Sequence, residues 1–169
     1  MADEEITIEP GTIEKIKAHS GPIHIVFMGT KPEIIKQAPL ILELRKENAN
    51  LLVVHSGQHY DWNLSKGVEE DFDIHPDINL NVKGTKLYEQ QSQIIQRFGS
   101  LINDLKKLDK KIIPYTYSDT TSALSGGIAS FANGIAVAHV EAGLRTLTPP
   151  KEILMSLLYN RDIIDYFKE

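Results

Sequence analysis

The sequence predicts an α/β domain built on a doubly wound, largely parallel sheet. Three observations carry that prediction. Short apolar runs alternate with helical periodicities along the chain, the pattern of parallel strands joined by right-handed crossover helices. Two of the runs, IIPYTY at 112–117 and GIAVAHV at 134–140, break off at carboxylates, Asp119 and Glu141, and ligands of open α/β sheets sit outside the carboxyl ends of the strands. The 169 residues suffice for one such domain with a full core and fall short of two.

Taken in order, residues 1–21 read as an N-terminal arm. Within it, Ile13 and Ile16 suit a short helix over 11–19 that stops at Gly21-Pro22. A Rossmann-like domain is expected over 22–147. IHIVFM (23–28) is its first buried strand, and Gly29-Thr30 turns the chain. Thr30 stands three residues before Glu33 with Pro32 between them, a capping box that opens a helix running to about residue 47. LLVVHSG (51–57) is a second strand, GQHYDWNLS a polar loop, and 68–72 a short helix. Residues 73–82 alternate apolar and polar side chains, which suits a strand near an edge. The longest helical pattern spans 86–107, with Ile94, Phe98, Leu101, Ile102 and Leu105 recurring at three and four. A helix over 120–133 then separates the strands IIPYTY and IAVAHV, with Asn133-Gly134 as the turn.

After Arg145 the chain changes character. Thr148-Pro149-Pro150 breaks it, and 151–167 is an amphipathic helix carrying Ile153, Leu154, Leu157, Leu158, Ile163, Ile164 and Phe167. Residues 148–169 therefore read as the start of an insertion or interdomain segment. With no glycine stop after Lys168-Glu169, the chain reads as interrupted.

Composition removes several classes of function. Eighteen basic and 23 acidic side chains give a net charge of −5 with both signs dispersed, so neither a nucleic-acid surface nor a basic membrane-binding face is expected. There is no cysteine, hence no disulfide and no thiolate metal site. No apolar run approaches the roughly 20 residues that cross a bilayer, and the acidic start MADEEITIEP has the wrong sign for a signal peptide. A soluble, cytoplasmic protein is expected.

Three clusters could carry chemistry. GTKPEIIK (29–36) lies where the first strand feeds a helix N-terminus, where free N–H groups and the helix dipole favour an anion, with Lys31 and Lys36 adding charge. A phosphate site and a well-capped helix with two solvated lysines both fit. The stretch has neither the glycines of a dinucleotide fingerprint nor a P-loop, so NAD or ATP chemistry is not supported. Second, His55, Gln58, His59 and Asp61 follow strand two. A metal would need a helix to bring the histidines together, and Gly57 opposes one, so sugar contacts or no ligand fit better and no metal is expected.

Asp119 and Glu141 form the third cluster. Carboxyl groups closed off from water can exchange protons near neutral pH, and two of them at one cleft can serve opposite faces of one carbon. The structural alternatives are a helix N-cap for Asp119, and for Glu141 a pairing with Arg145 or with its same-face neighbour His139.

Read jointly, GTKPEIIKQAPLI, HSGQHYD, SDTTSALSGGIASF and VAHVEAGLRT resemble the non-hydrolysing UDP-N-acetylglucosamine 2-epimerases, in the same order from about residue 23 to 146. The resemblance implies a two-domain, glycosyltransferase-B-like fold of which this chain is the N-terminal half. It also implies a cofactor-free isomerisation: UDP is eliminated from UDP-GlcNAc to leave a glycal, then added back after C2 is reprotonated on the other face, giving UDP-ManNAc. By the same resemblance Asp119 and Glu141 are the proton-transfer groups, and Lys31, Lys36, Thr120 and Arg145 belong to the UDP-sugar site. Gln58 and His59 match a loop that in some bacterial members helps hold a second, activating UDP-GlcNAc.

The sequence departs from the family in three places. Lys31 replaces the usual arginine and loses its bidentate fork. Tyr117-Ser118 replaces the usual His-Gly. The family's proline and paired glutamates after AGLRT are not recognisable in TPPKEIL, where Glu152 is at best a faint counterpart; archaeal-type members carry an insertion here. In the family, the C-terminal domain supplies much of the UDP site, so this chain is expected to be inactive by itself. The alternatives are a non-catalytic nucleotide-sugar binding or oligomerisation module, with a homodimer left open, and a glycosyltransferase of the same fold, which the HVEAGLR match disfavours.

Overall fold

A computed structural model describes residues 6–57 and 66–142. In chain order these form β1 (Thr7–Ile8), α1 (Thr12–Ala18), β2 (Ile23–Met28), α2 (Lys31–Lys46), β3 (Asn50–His55) and α3 (Lys66–Asp71). They continue with β4 (Ile78–Asn79), α4 (Leu87–Lys106), β5 (Ile112–Tyr117), α5 (Thr121–Ala132) and β6 (Ala138–Val140). The strands make one sheet in the order β1-β4-β3-β2-β5-β6. All pairs are parallel except β1 with β4. After β1 and α1 the chain enters the middle of the sheet at β2, winds out through β3 and β4, and returns by α4 to place β5 on the other side of β2. The expected doubly wound sheet is therefore present, with its switch point between β2 and β5.

β2 reads as a near-continuous apolar run because both of its faces are covered. On one face Ile25 and Phe27 pack with Leu52, Val54 and the α4 residues Ile94, Phe98 and Ile102. The rings of Phe27 and Phe98 lie 4.4 Å apart. Gly126 of α5 permits this packing, because a Cβ there would stand 2.8 Å from the Phe27 ring. On the opposite face Val26 and Met28 meet Ile34, Ala38 and Ile41 of α2.

Two expectations are corrected. The alternation over 73–82 yields only two residues of strand; β4 lies near the edge as expected, with β1 outside it and Thr7 opposite Asn79. Asn81 takes a positive φ of 50° and turns the chain away, where Arg97 donates to the carbonyls of Leu80 and Asn81 at 2.7 Å. β6 begins at Ala138 rather than at 135 and is three residues long.

The segment expected as an arm contributes to the body of the fold. Ile16 is fully buried, and the Lys110 ammonium closes the end of α1 by donating to the carbonyls of Ile16, Lys17 and His19. Gln58, His59, Arg145 and the helix expected over 151–167 lie outside the described residues. Among the described residues no helix is long and apolar enough to cross a membrane.

Candidate active site

The carboxyl ends of β2, β5 and β6 meet at one rim of the sheet, and the sequence motifs sit there. Tyr117 of β5 pairs with Val140 of β6, so the chain delivers Asp119 and Glu141 to adjacent positions just past the two strands. Both strand exits turn through left-handed backbone, Ser118 at φ 72° and Glu141 at φ 60°. That conformation costs an L-residue about 1–2 kcal/mol. A glycine at the Ser118 position would adopt it without that cost.

Asp119 is exposed and is not a helix cap. Thr120 is the N-cap of α5, its hydroxyl accepting from the Ala123 N–H at 3.0 Å. The Asp119 carboxylate instead accepts from the Ser118 hydroxyl at 3.1 Å. Glu141 also faces solvent, and among the described residues Lys36 reaches it from α2, with Nζ 3.3 Å from Oε1. His139 turns to the Thr116 hydroxyl, at 3.0 Å from Nδ1. Asp119 and Glu141 line one open cavity of about 480 Å³ together with Tyr117, Ser118 and His139. The Tyr117 phenol is raised above its ordinary pKa by desolvation and by the Glu141 carboxylate beside it, with Lys36 opposing. It therefore stays a neutral donor at this rim.

The residue that sequence reasoning undervalued is Glu33. Its fully buried carboxylate accepts at Oε2 from the backbone N–H groups of Gly29 and Thr30, both at 2.8 Å. Its Oε1 accepts from the Thr120 hydroxyl at 2.5 Å. One carboxylate thus ties the entrances of α2 and α5 together. Burial raises its pKa, against the hydrogen bonds from Thr120, Thr30 and Gly29 that lower it. The capping-box pattern announced the contact to Thr30; the link to Thr120, 87 residues away, has no local signal.

This alters the reading of the 29–36 stretch. Two of the N–H groups expected to face an anion are already filled by Glu33, and what remains for a ligand is the exposed Lys31, one turn from Lys36. Backbone at this point is tightly held: a Cβ on Gly29 would stand 2.0 Å from the Ser56 hydroxyl and 2.3 Å from that of Ser122, which are themselves 3.0 Å apart. His55, next to Ser56, uses Nδ1 to accept from the Gly57 N–H at 2.9 Å. No group of three metal-ligating side chains occurs among the described residues.

The site thus pairs two water-accessible carboxylates with a lysine and a phenol on one wall of a cleft. Proton transfer and contact with an anionic ligand are both within its reach. Comparison with known proteins identifies the wall. The model of the UDP-N-acetylglucosamine 2-epimerase family matches residues 42–153.

This chain belongs to the UDP-N-acetylglucosamine 2-epimerase family.

The family's Methanocaldococcus jannaschii 2-epimerase is 34% identical over 134 residues, which cover 76% of this chain and 35% of that protein. The Bacillus subtilis 2-epimerase is 40% identical over 125 residues, 72% of this chain and 31% of that protein. A crystal structure of the M. jannaschii 2-epimerase in complex with UDP-GlcNAc and UDP superposes with a TM-score of 0.67 at 32% identity, covering 73% of this chain and 33% of the other. The Neisseria meningitidis 2-epimerase bound to UDP-GlcNAc gives a TM-score of 0.64 at 31% identity over 75% of this chain and 34% of that one. The chain spans about a third of the length of these 2-epimerases, and its sheet is the Rossmann-like part of their glycosyltransferase-B-like fold.

Proposed function

We propose that the chain forms one wall of a UDP-GlcNAc 2-epimerase site, at which Asp119 and Glu141 move the C2 proton. The observation that carries this reading is the placement of both carboxylates on a single cavity at the ends of adjacent parallel strands. In the reaction one base removes the C2 proton, the C1–oxygen bond to UDP breaks, and a glycal results. An acid then delivers a proton to the other face of C2 as UDP returns to C1, giving UDP-ManNAc. Electrons and atoms balance with no redox step.

Lys31 and Lys36 supply cationic contacts to the diphosphate. Arg145 joins them from the segment after β6, and Thr120 contributes from the α5 entrance. Lys36 divides its charge between ligand and Glu141 and orients that carboxylate until substrate arrives. Gln58 and His59 are assigned to an activating UDP-GlcNAc. Positioning and electrostatic stabilisation both require a water-poor site, and one exposed wall does not provide it, so the chain alone binds without turning over. We place the protein in the cytoplasm, where nucleotide sugars are made, and as a homodimer when complete. A non-catalytic nucleotide-sugar binding module is the second reading; the exposure of both carboxylates favours it for the isolated chain.

Titration of ¹⁵N-labelled chain with UDP-GlcNAc tests the wall directly. Amide shifts are expected at 29–31, 118–121 and 139–142, and Lys36→Ala should weaken the affinity about tenfold. Shifts confined to other surfaces would remove this rim from the binding site.

A further inference from the structure

Three elements converge at Glu141. Lys36 comes from α2 and stands 3.3 Å from its carboxylate. Tyr117 comes from the end of β5, opposite Val140 in the register, and its phenol meets the same carboxylate in a side-chain hydrogen bond. Tyr115, two residues earlier and so on the same face of β5, packs with Ile34, Ala38 and Ile41 of α2. The phenol is thereby placed between α2 and the exit of β6. With the Lys36 and Glu141 side chains 51% and 37% exposed, their ion pair is weak and leaves the carboxylate free to swing. A phenol is a different kind of contact: neutral, on a short rigid side chain rooted in a strand, it restrains its acceptor at low entropic cost. Asp119 is held otherwise, by the hydroxyl of Ser118 beside it in the chain. Glu141 also keeps φ 60°, a conformation that persists where surrounding contacts over-determine a residue and that clusters at functional sites.

We propose that Tyr117 is the positioning residue for Glu141, its phenol donating to the carboxylate and directing it onto the cavity that Glu141 shares with Asp119. Its role presupposes the C2 proton transfer at Asp119 and Glu141 proposed above. No bond to Tyr117 is made or broken; the proton travels on Glu141, and the phenol fixes where that carboxylate stands. The role needs a phenol that keeps its own proton. Desolvation and the Glu141 carboxylate raise its pKa, Lys36 opposes them, and Asp119 adds to the rise. His139 is the other titratable side chain on this cavity, and it is turned to the Thr116 hydroxyl. Loss of the phenolic hydroxyl leaves the lysines in place for the diphosphate, so binding is kept and turnover falls.

Two measurements separate this role from its premise. In the chain by itself, spectra of ¹³C-labelled tyrosine follow the titration of Tyr117. Glu141→Gln removes the charge that opposes ionisation of the phenol, so the Tyr117 midpoint should fall by about half a pH unit, with Tyr115, bonded to His24, unmoved. A Tyr117 midpoint that stays in place overturns the proposal whatever the reaction is. The second measurement is deuterium exchange at C2 of UDP-GlcNAc with the C-terminal half restored. Tyr117→Phe is expected to lower kcat about tenfold while KM stays within about twofold. A fluorinated tyrosine at this position, whose phenol ionises near neutral pH, should keep the wild-type rate in mild acid and lose it as the phenol titrates, a pH dependence that a merely structural ring would not confer. Full activity of Tyr117→Phe beside an inactive Glu141→Gln overturns the positioning role and leaves the proton-transfer reading standing. Exchange that survives Glu141→Gln removes both together.

Discussion

Ser118 and Glu33 show how much of this site is decided by single residues. Ser118 holds φ 72° where a glycine would rest without strain. Ser118→Gly is therefore expected to stabilise the chain by roughly 0.5–1 kcal/mol, after the entropy that glycine gains in the unfolded state, a difference that denaturant melts resolve. Glu33→Ala leaves the Gly29 and Thr30 N–H groups and the Thr120 hydroxyl without their shared acceptor and should cost about 2–4 kcal/mol. Glu33→Gln keeps an acceptor for the two N–H groups and a donor to Thr120, so it should cost much less. The two variants also separate the effect of charge. Because burial raises the folded pKa of Glu33 above its ordinary 4.5, its ionisation opposes folding: the contribution is favourable below that value and is lost as pH rises through the folded pKa. Stability of Glu33→Gln relative to the wild-type chain should accordingly be flat in acid and rise with pH above about 4.5, a trend that urea melts across pH 4–7 measure. A flat difference would mean that the carboxyl is not desolvated.

At the scale of elements, the long ones were legible and the short ones were not. β2, β5, α2 and α4 announce themselves by apolar runs or periodicity that end up in the core, whereas the periodic Leu124, Ile128 and Phe131 of α5 stay exposed and its buried face is made of small residues. β1 and β4 are two residues each, too short to carry a pattern, and their pairing is a tertiary event; the alternation over 73–82 places a strand near an edge, where β4 lies, but does not announce that β1 pairs outside it. Asp119 as a helix cap was locally sensible, yet Thr120 takes that role with its hydroxyl also held by Glu33, which frees the aspartate for solvent. The close approach of β2, β3 and α5 at Gly29 makes a further prediction. Gly29→Ala should destabilise by about 2–3 kcal/mol, since its Cβ would overlap the Ser56 and Ser122 hydroxyls. Adding Ser56→Ala and Ser122→Ala should recover part of that loss, a non-additivity visible in the melts of the combined variant.

For the whole molecule, the family and the rim of the sheet were readable in sequence because four motifs fall at strand ends that the topology brings together. The Lys36–Glu141 pair was not readable, since it joins α2 to β6 across 105 positions. What the described residues form is a wall with two carboxylates, in a chain that spans about a third of its relatives. The central claim is that this wall serves C2 of UDP-GlcNAc once a second domain closes over it. The direct measurement is solvent deuterium incorporation at C2 of UDP-GlcNAc, with the C-terminal half of the enzyme restored. Incorporation by the wild-type wall that falls at least a thousandfold in Asp119→Asn and in Glu141→Gln is the predicted result; incorporation that persists in the double variant would contradict it.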